Sequence, residues 1–333
     1  NPIVVAALSF TPRHLVIRWS ARSNEAVSVE RGVSLRLNGD TGANYNDQRL
    51  DGAVSAASAG SGSNVTNISQ IGVDTGNTSA ANGWSSGEFI LPDALSTRTH
   101  KSVIGFSGAI EQRVRVGAGR WANTAAITSI SLSQDGSGAF LAGSTVELCV
   151  VDESFNIDEQ IKGSNGTFTV GSIGAADGDL VVIGNVRDAY SAYGQVATYQ
   201  LNGDSTATNY NVQKIEGTGT GAYASAENNN RFATVVGNTA TASAFSPIVT
   251  QVTNFSDGSN DRVTTTLYGF NASATATENS VGIRSSRWNN TAAITSYALP
   301  LTYLTGSMLS TYVVPKNLIE RQELGGTATD VTF

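Results

Sequence analysis

Short apolar runs and period-two alternation dominate this chain. Leu15-Val16-Ile17-Arg18-Trp19 is an apolar run with β-branched residues, and Leu180-Val181-Val182-Ile183 holds the matching place further on; each reads as a buried strand. Val33-Ser34-Leu35-Arg36-Leu37 alternates apolar and polar up to Asn38-Gly39, and Ala197-Thr198-Tyr199-Gln200-Leu201 does so up to Asn202-Gly203. Asn-Gly accepts positive φ at both central turn positions, so both places predict a hairpin. Phe89 to Pro92, Phe245 to Val249, Val103 to Phe106, Val114 to Val116, Ile127 to Leu132 and Val146 to Val150 bring the count to seven or eight short strands per half. No helical period persists. Asn156-Ile157-Asp158-Glu159 before Gly163 and Asn317-Leu318-Ile319-Glu320 before Gly325 are cap-like and predict one short helical turn at the end of each half. The Ser/Ala/Gly/Asn-rich stretches 52–87 and 217–243 hold only Ile68, Ile71 and Val73 as a thin strand and otherwise read as long divergent loops.

The pattern is written twice. Arg120-Trp121-Ala122-Asn123-Thr124-Ala125-Ala126-Ile127-Thr128-Ser129 returns as Arg287-Trp288-Asn289-Asn290-Thr291-Ala292-Ala293-Ile294-Thr295-Ser296, with one of ten positions changed. Leu37-Asn38-Gly39-Asp40 returns as Leu201 to Asp204, and Asn44-Tyr45-Asn46 as Asn209-Tyr210-Asn211, at offsets of 164 to 167 residues. Two copies of this length are too few and too long for a solenoid, and they predict two domains of one architecture, 1–163 and 164–333, from an internal duplication. That many strands without crossover helices predict an all-β protein of two tandem antiparallel β-sandwiches, with the jelly roll preferred over the smaller immunoglobulin-like sandwich.

Composition narrows the function. Charged residues make up 14% of the 333, and the net charge is −7. Residues through Ser164 include 12 basic and 15 acidic ones and the remainder 8 and 12, so neither half carries a basic stripe. The expected partners therefore exclude nucleic acid and anionic membrane. No apolar run reaches membrane-spanning length, and Asn1-Pro2-Ile3-Val4-Val5 lacks the layout of a secretion signal. The single cysteine, Cys149, has Tyr312 as its counterpart and reads as a small packed residue.

The residues hold little that points to catalysis. His14 and His100 are the only histidines and have no histidine counterparts in the second half, and the Gly-Ser pairs at Gly143 and Gly306 fall inside predicted hairpins and read as turn glycines. Asn38-x-Asp40-x-Gly42-x-Asn44 has the oxygen spacing of a calcium loop, yet the second copy inserts a residue before Asn209 and the twelfth position is Arg49. The turn residues Asn38, Gly39, Asp40, Asn44 and Tyr45, with Asn202, Gly203, Asp204, Asn209 and Tyr210, are therefore read as structural, their side chains bonding to nearby backbone; no metal, cofactor or catalytic residue is expected. Trp121 and Trp288 are candidates either for a glycan or interface contact or for a sandwich cap with a paired indole N–H, and Trp84 in the first long stretch is a third candidate contact.

Taken in order, His14 to Arg18, Leu37 to Tyr45, Gly87 to Pro92, Trp121 to Ile130 and Phe140 to Ser144 resemble a group of structural proteins of tailed bacteriophages with tandem jelly rolls, of capsid-decoration, head-fibre or tail-surface type. The second half departs from that pattern at Asp179, before Asn209, and at Ser243 to Pro247. The resemblance implies a non-enzymatic virion protein that packs with copies of itself, as trimers in viral jelly rolls, and against major capsid or tail proteins. A carbohydrate-binding module for a host-surface glycan is the alternative.

Overall fold

The computed structural model describes residues 2–6, 13–26, 31–53, 56–80, 83–109, 113–135, 138–174, 176, 178–271 and 279–315. The first half contributes β1 (Ile3–Ala6), β2 (Leu15–Ala21), β3 (Arg31–Leu37), β4 (Tyr45–Ala53), β5 (Ala56–Val65), β6 (Ile68–Asp74), β7 (Ser85–Leu91), β8 (Lys101–Ala109), β9 (Arg113–Trp121), β10 (Ser129–Gln134) and β11 (Thr145–Val150). There follow β12 (Asn156–Ile161), β13 (Gly166–Val170), β14 (Gly178–Val186), β15 (Gly194–Thr198), β16 (Gln200–Leu201), β17 (Tyr210–Thr218), β18 (Gly221–Glu227), β19 (Arg231–Val236), β20 (Ser246–Val252), β21 (Arg262–Phe270), β22 (Ser280–Trp288), β23 (Tyr297–Tyr303) and β24 (Met308–Pro315).

All the sheets are antiparallel ladders. A four-stranded sheet, β1-β10-β3-β6, lies over a seven-stranded one, β11-β2-β7-β8-β9-β4-β5. Leu15, Ile17, Trp19 and Phe89 of the larger sheet meet Val33, Leu35, Ile130 and Leu132 of the smaller in one buried core. The second half has the sheet β12-β24-β14-β20-β21-β22-β17-β18, with β13-β23-β16 and the pair β15-β19 on its inner face. Leu180, Val182, Ile248 and Tyr268 pack there on Phe168, Phe232, Tyr297 and Leu299. Reading β24 as β11, β14 as β2, β20 as β7 and so on, the seven strands of the two large sheets stand in the same order.

The structure corrects several expectations. Successive strands β7, β8 and β9 stay in one sheet as a meander, as do β20, β21 and β22; a jelly roll passes successive strands between its sheets. Strand β12 lies before residue 163 yet pairs with β24, so the chain enters the second large sheet between Val150 and Asn156. The helical turn expected at Asn156 is instead part of β12, because Ile157, Glu159 and Ile161 alternate with a period of two along a free sheet edge; a 3-10 turn, Glu153–Phe155 capped by Asp152, precedes it. The matching pattern at Asn317 lies outside the described residues. The thin strand expected at Ile68, Ile71 and Val73 is β6, but the rest of the supposed loops 52–87 and 217–243 also holds strands, β5, β18 and β19.

Small residues serve close approach. A Cβ on Gly117 would stand 2.3 Å from the Ile71 carbonyl oxygen, because the facing sheet crosses there. Gly117→Ala is expected to lower unfolding free energy by about 1–3 kcal/mol through forced displacement of backbone, read as a lower urea midpoint; an unchanged midpoint would contradict the packing.

The outer faces of the large sheets also meet. Leu50, Ile104 and Ala118 of the first half are buried with Val281 of the second, and Ile215, Ala222, Val249 and Leu267 pack around them. A Cβ on Gly269 would fall 2.4 Å from that of Ala118, and one on Gly217 would fall 3.0 Å from that of Ala59. This seam carries polar contacts as well, from Ser102 Oγ to Asn185 Oδ1 at 2.8 Å and from Gln48 Nε2 to the Gly219 carbonyl at 3.1 Å.

Candidate functional site

The repeated residues converge on one arrangement in each half. Asn38 and Gly39 take φ of 50° and 65°, and Asn202 and Gly203 take 51° and 73°, the left-handed values an Asn-Gly turn provides. The turn closes with Asp40 N–H donating to the Leu37 carbonyl. It does not join a hairpin ladder: β3 and β4 belong to different sheets, as do β16 and β17. The reversal carries the chain from one layer of the sandwich to the other.

Side chains hold that crossing. Asn38 Oδ1 accepts from the N–H groups of Thr128 at 2.7 Å and Ser129 at 3.1 Å, while its Nδ2 donates to the Ala126 carbonyl at 2.8 Å. Asn202 does the same with Thr295, Ser296 and Ala293. Trp121 Nε1 donates to Asp40 Oδ2 at 2.6 Å, and Trp288 Nε1 to Asp204 Oδ2 at 2.8 Å. Asn44 and Asn209 donate to the same carboxylates. The Tyr45 and Tyr210 hydroxyls accept from the Leu37 and Leu201 N–H groups, respectively, and the Tyr45 ring stacks on Trp121 at 6.3 Å. The ten-residue repeat is thus the far side of a staple whose near side is the Asn-Gly-Asp turn.

Electrostatics follow from this bonding. The Trp121 indole, with Asn44 and the Gly42 N–H, holds the Asp40 carboxyl below its ordinary value. At Asp204 burial pushes upward, but donors from Trp288, Asn209 and Thr206 outweigh it and the net direction is again down. Among the described residues, both carboxylates are bonded to hydrogen-bond donors, whereas a cation cage is built from oxygens. The calcium-like spacing is the imprint of a turn.

The tryptophans are corrected as glycan contacts. Trp121 is 2% and Trp288 1% exposed, and each indole N–H is committed to a carboxylate, so neither offers a stacking face. Side chains alternate along a strand, so beside these tryptophans Arg120 turns toward His100 and Arg287 toward Asp261. Trp84 is half-buried, its ring lying over Gly143, whose φ is 97°. Asp47 accepts from the N–H and hydroxyl of Ser69, with burial raising its pKa. Asp51 binds Arg115 and Arg113, and Glu88 binds Arg18.

What sequence reasoning passed over is the outer surface of the large sheets. Where they diverge from the seam, a cleft of about 400 Å³ opens between Leu50, Phe106, Val114 and Val116 on one side and Ile215 and Ile283 on the other. Phe106 is 51% and Val114 65% exposed at its mouth. The signal was present in Val103-Ile104-Gly105-Phe106, whose apolar residues fall on both faces of the strand, as they do where both faces are covered.

No protein-family model matches the chain, and no curated protein matches it. Among solved structures, domains LG4-5 of the mouse laminin alpha1 chain are 11% identical over 93% of this chain and 85% of that one, with a TM-score of 0.17.

Proposed function

We propose that this protein is a non-enzymatic structural component of a tailed-phage virion, built from one duplicated sandwich unit and placed on the outside of the capsid or in a fibre or tail. The observation that carries the reading is the use to which the repeated polar residues are put. Asn38, Asp40, Asn44, Tyr45 and Trp121, with their second-half counterparts, are consumed in bonds that hold the fold. What was kept in both halves is an architectural joint. The common strand order of the large sheets supports the duplication, and the resemblance of the strand and turn residues supports virion origin.

Such a protein works through broad, geometrically fixed contacts with copies of itself and with capsid or tail neighbours. Low charge and extended β surfaces suit that mode. The test is mass spectrometry of purified particles from a lysate that produces the chain. Stoichiometric presence after gradient purification is the expected result, and absence from particles would refute the reading.

A further inference from the structure

We propose that the seam between the two halves is an acid-sensitive latch, closed while His14 and His100 are neutral and opened when they take up protons. The sequence contains two histidines, and the structure places both where the halves meet. His14 is fully buried, its ring edge-on to Tyr312 of β24 at 5.9 Å. Beside it Arg13 reaches Glu159 of β12 at 2.7 Å. The His100 backbone N–H donates to the Ser243 carbonyl of the second half at 3.0 Å. Its neighbour Thr99 shares Asn185 of β14 with Ser102.

Both rings are bonded in a way that disfavours a second proton. His14 Nδ1 accepts from the Asp93 backbone N–H at 3.3 Å. His100 Nδ1 lies 3.3 Å from Arg120 Nη1, and a guanidinium only donates, so this nitrogen also accepts. Protonating either Nδ1 sets N–H against N–H and adds a charge where burial already penalises one. Among the described residues, His14 Nε2, which carries the proton of the neutral ring, has no acceptor.

The surrounding charges reinforce this. Around His14 stand Arg13, Glu159 paired with Arg13, Asp93 paired with Arg98, and Tyr312, whose hydroxyl donates to Glu153. Around His100 stand Arg120, Lys101 and Arg187, all cationic. Burial, with Arg13, lowers His14 to about 3, and burial, with Arg120, Lys101 and Arg187, lowers His100 to about 4. A depressed histidine pKa stabilises the closed seam fully above the ordinary value of 6.5, and the contribution is lost as pH falls from there toward 4 and 3. Arg13, Arg120 and Lys101 belong to the first half and stay beside the rings when the seam opens, so opening relieves the burial against the second half and the Arg187 charge.

The test follows the radius of gyration of the full chain by X-ray scattering, with far-UV circular dichroism in parallel, from pH 7.5 to 4. The expected result is a reversible expansion below about pH 5.5 with the β signal unchanged. The His14→Gln/His100→Gln variant should stay compact over the same range. If that variant does not fold, His100→Gln alone serves, and its opening should need a lower pH than the parent. Constant dimensions down to pH 4, simultaneous loss of the β signal, or opening of the variants at the parent's pH would each overturn the proposal.

Discussion

Replacing Trp288 or Trp121 with alanine is expected to lower the unfolding free energy by about 3–5 kcal/mol, the cost of deleting a large buried aromatic. Each ring is buried in its half's core, and each indole N–H donates to its turn carboxylate. A phenylalanine variant separates the two contributions. It retains most of the packing while removing a hydrogen bond to a charged acceptor, typically worth about 1.5–3 kcal/mol. Asp40 and Asp204 keep their other donors, so the phenylalanine variants should fall at the lower end of that interval. Urea unfolding followed by circular dichroism checks the order: parent, then Trp→Phe, then Trp→Ala in each half. Equal losses for the two substitutions would mean that the hydrogen bond, and not the packing, dominates. A loss below about 1 kcal/mol for Trp→Ala, typical of a surface substitution, would contradict the staple.

That staple also marks how far the residues could be read in advance. Asn38-Gly39-Asp40 and Trp121 were each legible as repeated elements, and the left-handed turn was legible from Asn-Gly. Their contact was not, because 81 residues separate Asp40 from Trp121 and no local pattern encodes a pairing across two sheets. The same limit explains the hairpin expectation: local turn chemistry fixes a reversal, while the inward side chains on either side decide whether the strands join one ladder or two. Strand β5 failed for a different reason. Ala-Ala-Ser-Ala-Gly-Ser-Gly-Ser-Asn-Val carries almost no apolar alternation, since its glycines are covered by the neighbouring strand's side chains: a Cβ on Gly60 would lie 2.7 Å from Arg49 Cζ, and one on Gly62 2.9 Å from Asp47 Oδ2. Small residues here record the size of their neighbours, a quantity that is not local to the strand. The two histidines carried no pattern at all; their placement at the seam comes from tertiary structure alone.

The second large effect is expected at Asp51. Its carboxylate is 3% exposed and is bound by Arg115 from both Nε and Nη2; Arg113 approaches to 3.2 Å and Arg49 to 3.6 Å. Arg115 is itself 2% exposed at the side chain and also donates to the Gln70 and Gly72 carbonyls, tying β9 to β6 of the opposite sheet. Asp51→Asn keeps the shape but removes the negative charge that the three guanidiniums share. Breaking a buried pair in this way costs about 3–5 kcal/mol, because the remaining charge stays buried without compensation. Arg115→Met should cost a comparable amount by stranding Asp51, though Arg113 and Arg49 stand ready to take its place and soften the loss. The double variant decides the matter. With both charges gone the desolvation penalty disappears as well, so Asp51→Asn/Arg115→Met should be more stable than the sum of the single losses predicts, with a coupling of about 1–3 kcal/mol. Strict additivity of the two substitutions would show that Asp51 and Arg115 act independently, and that the carbonyl bonds to β6 are what hold this corner of the sandwich.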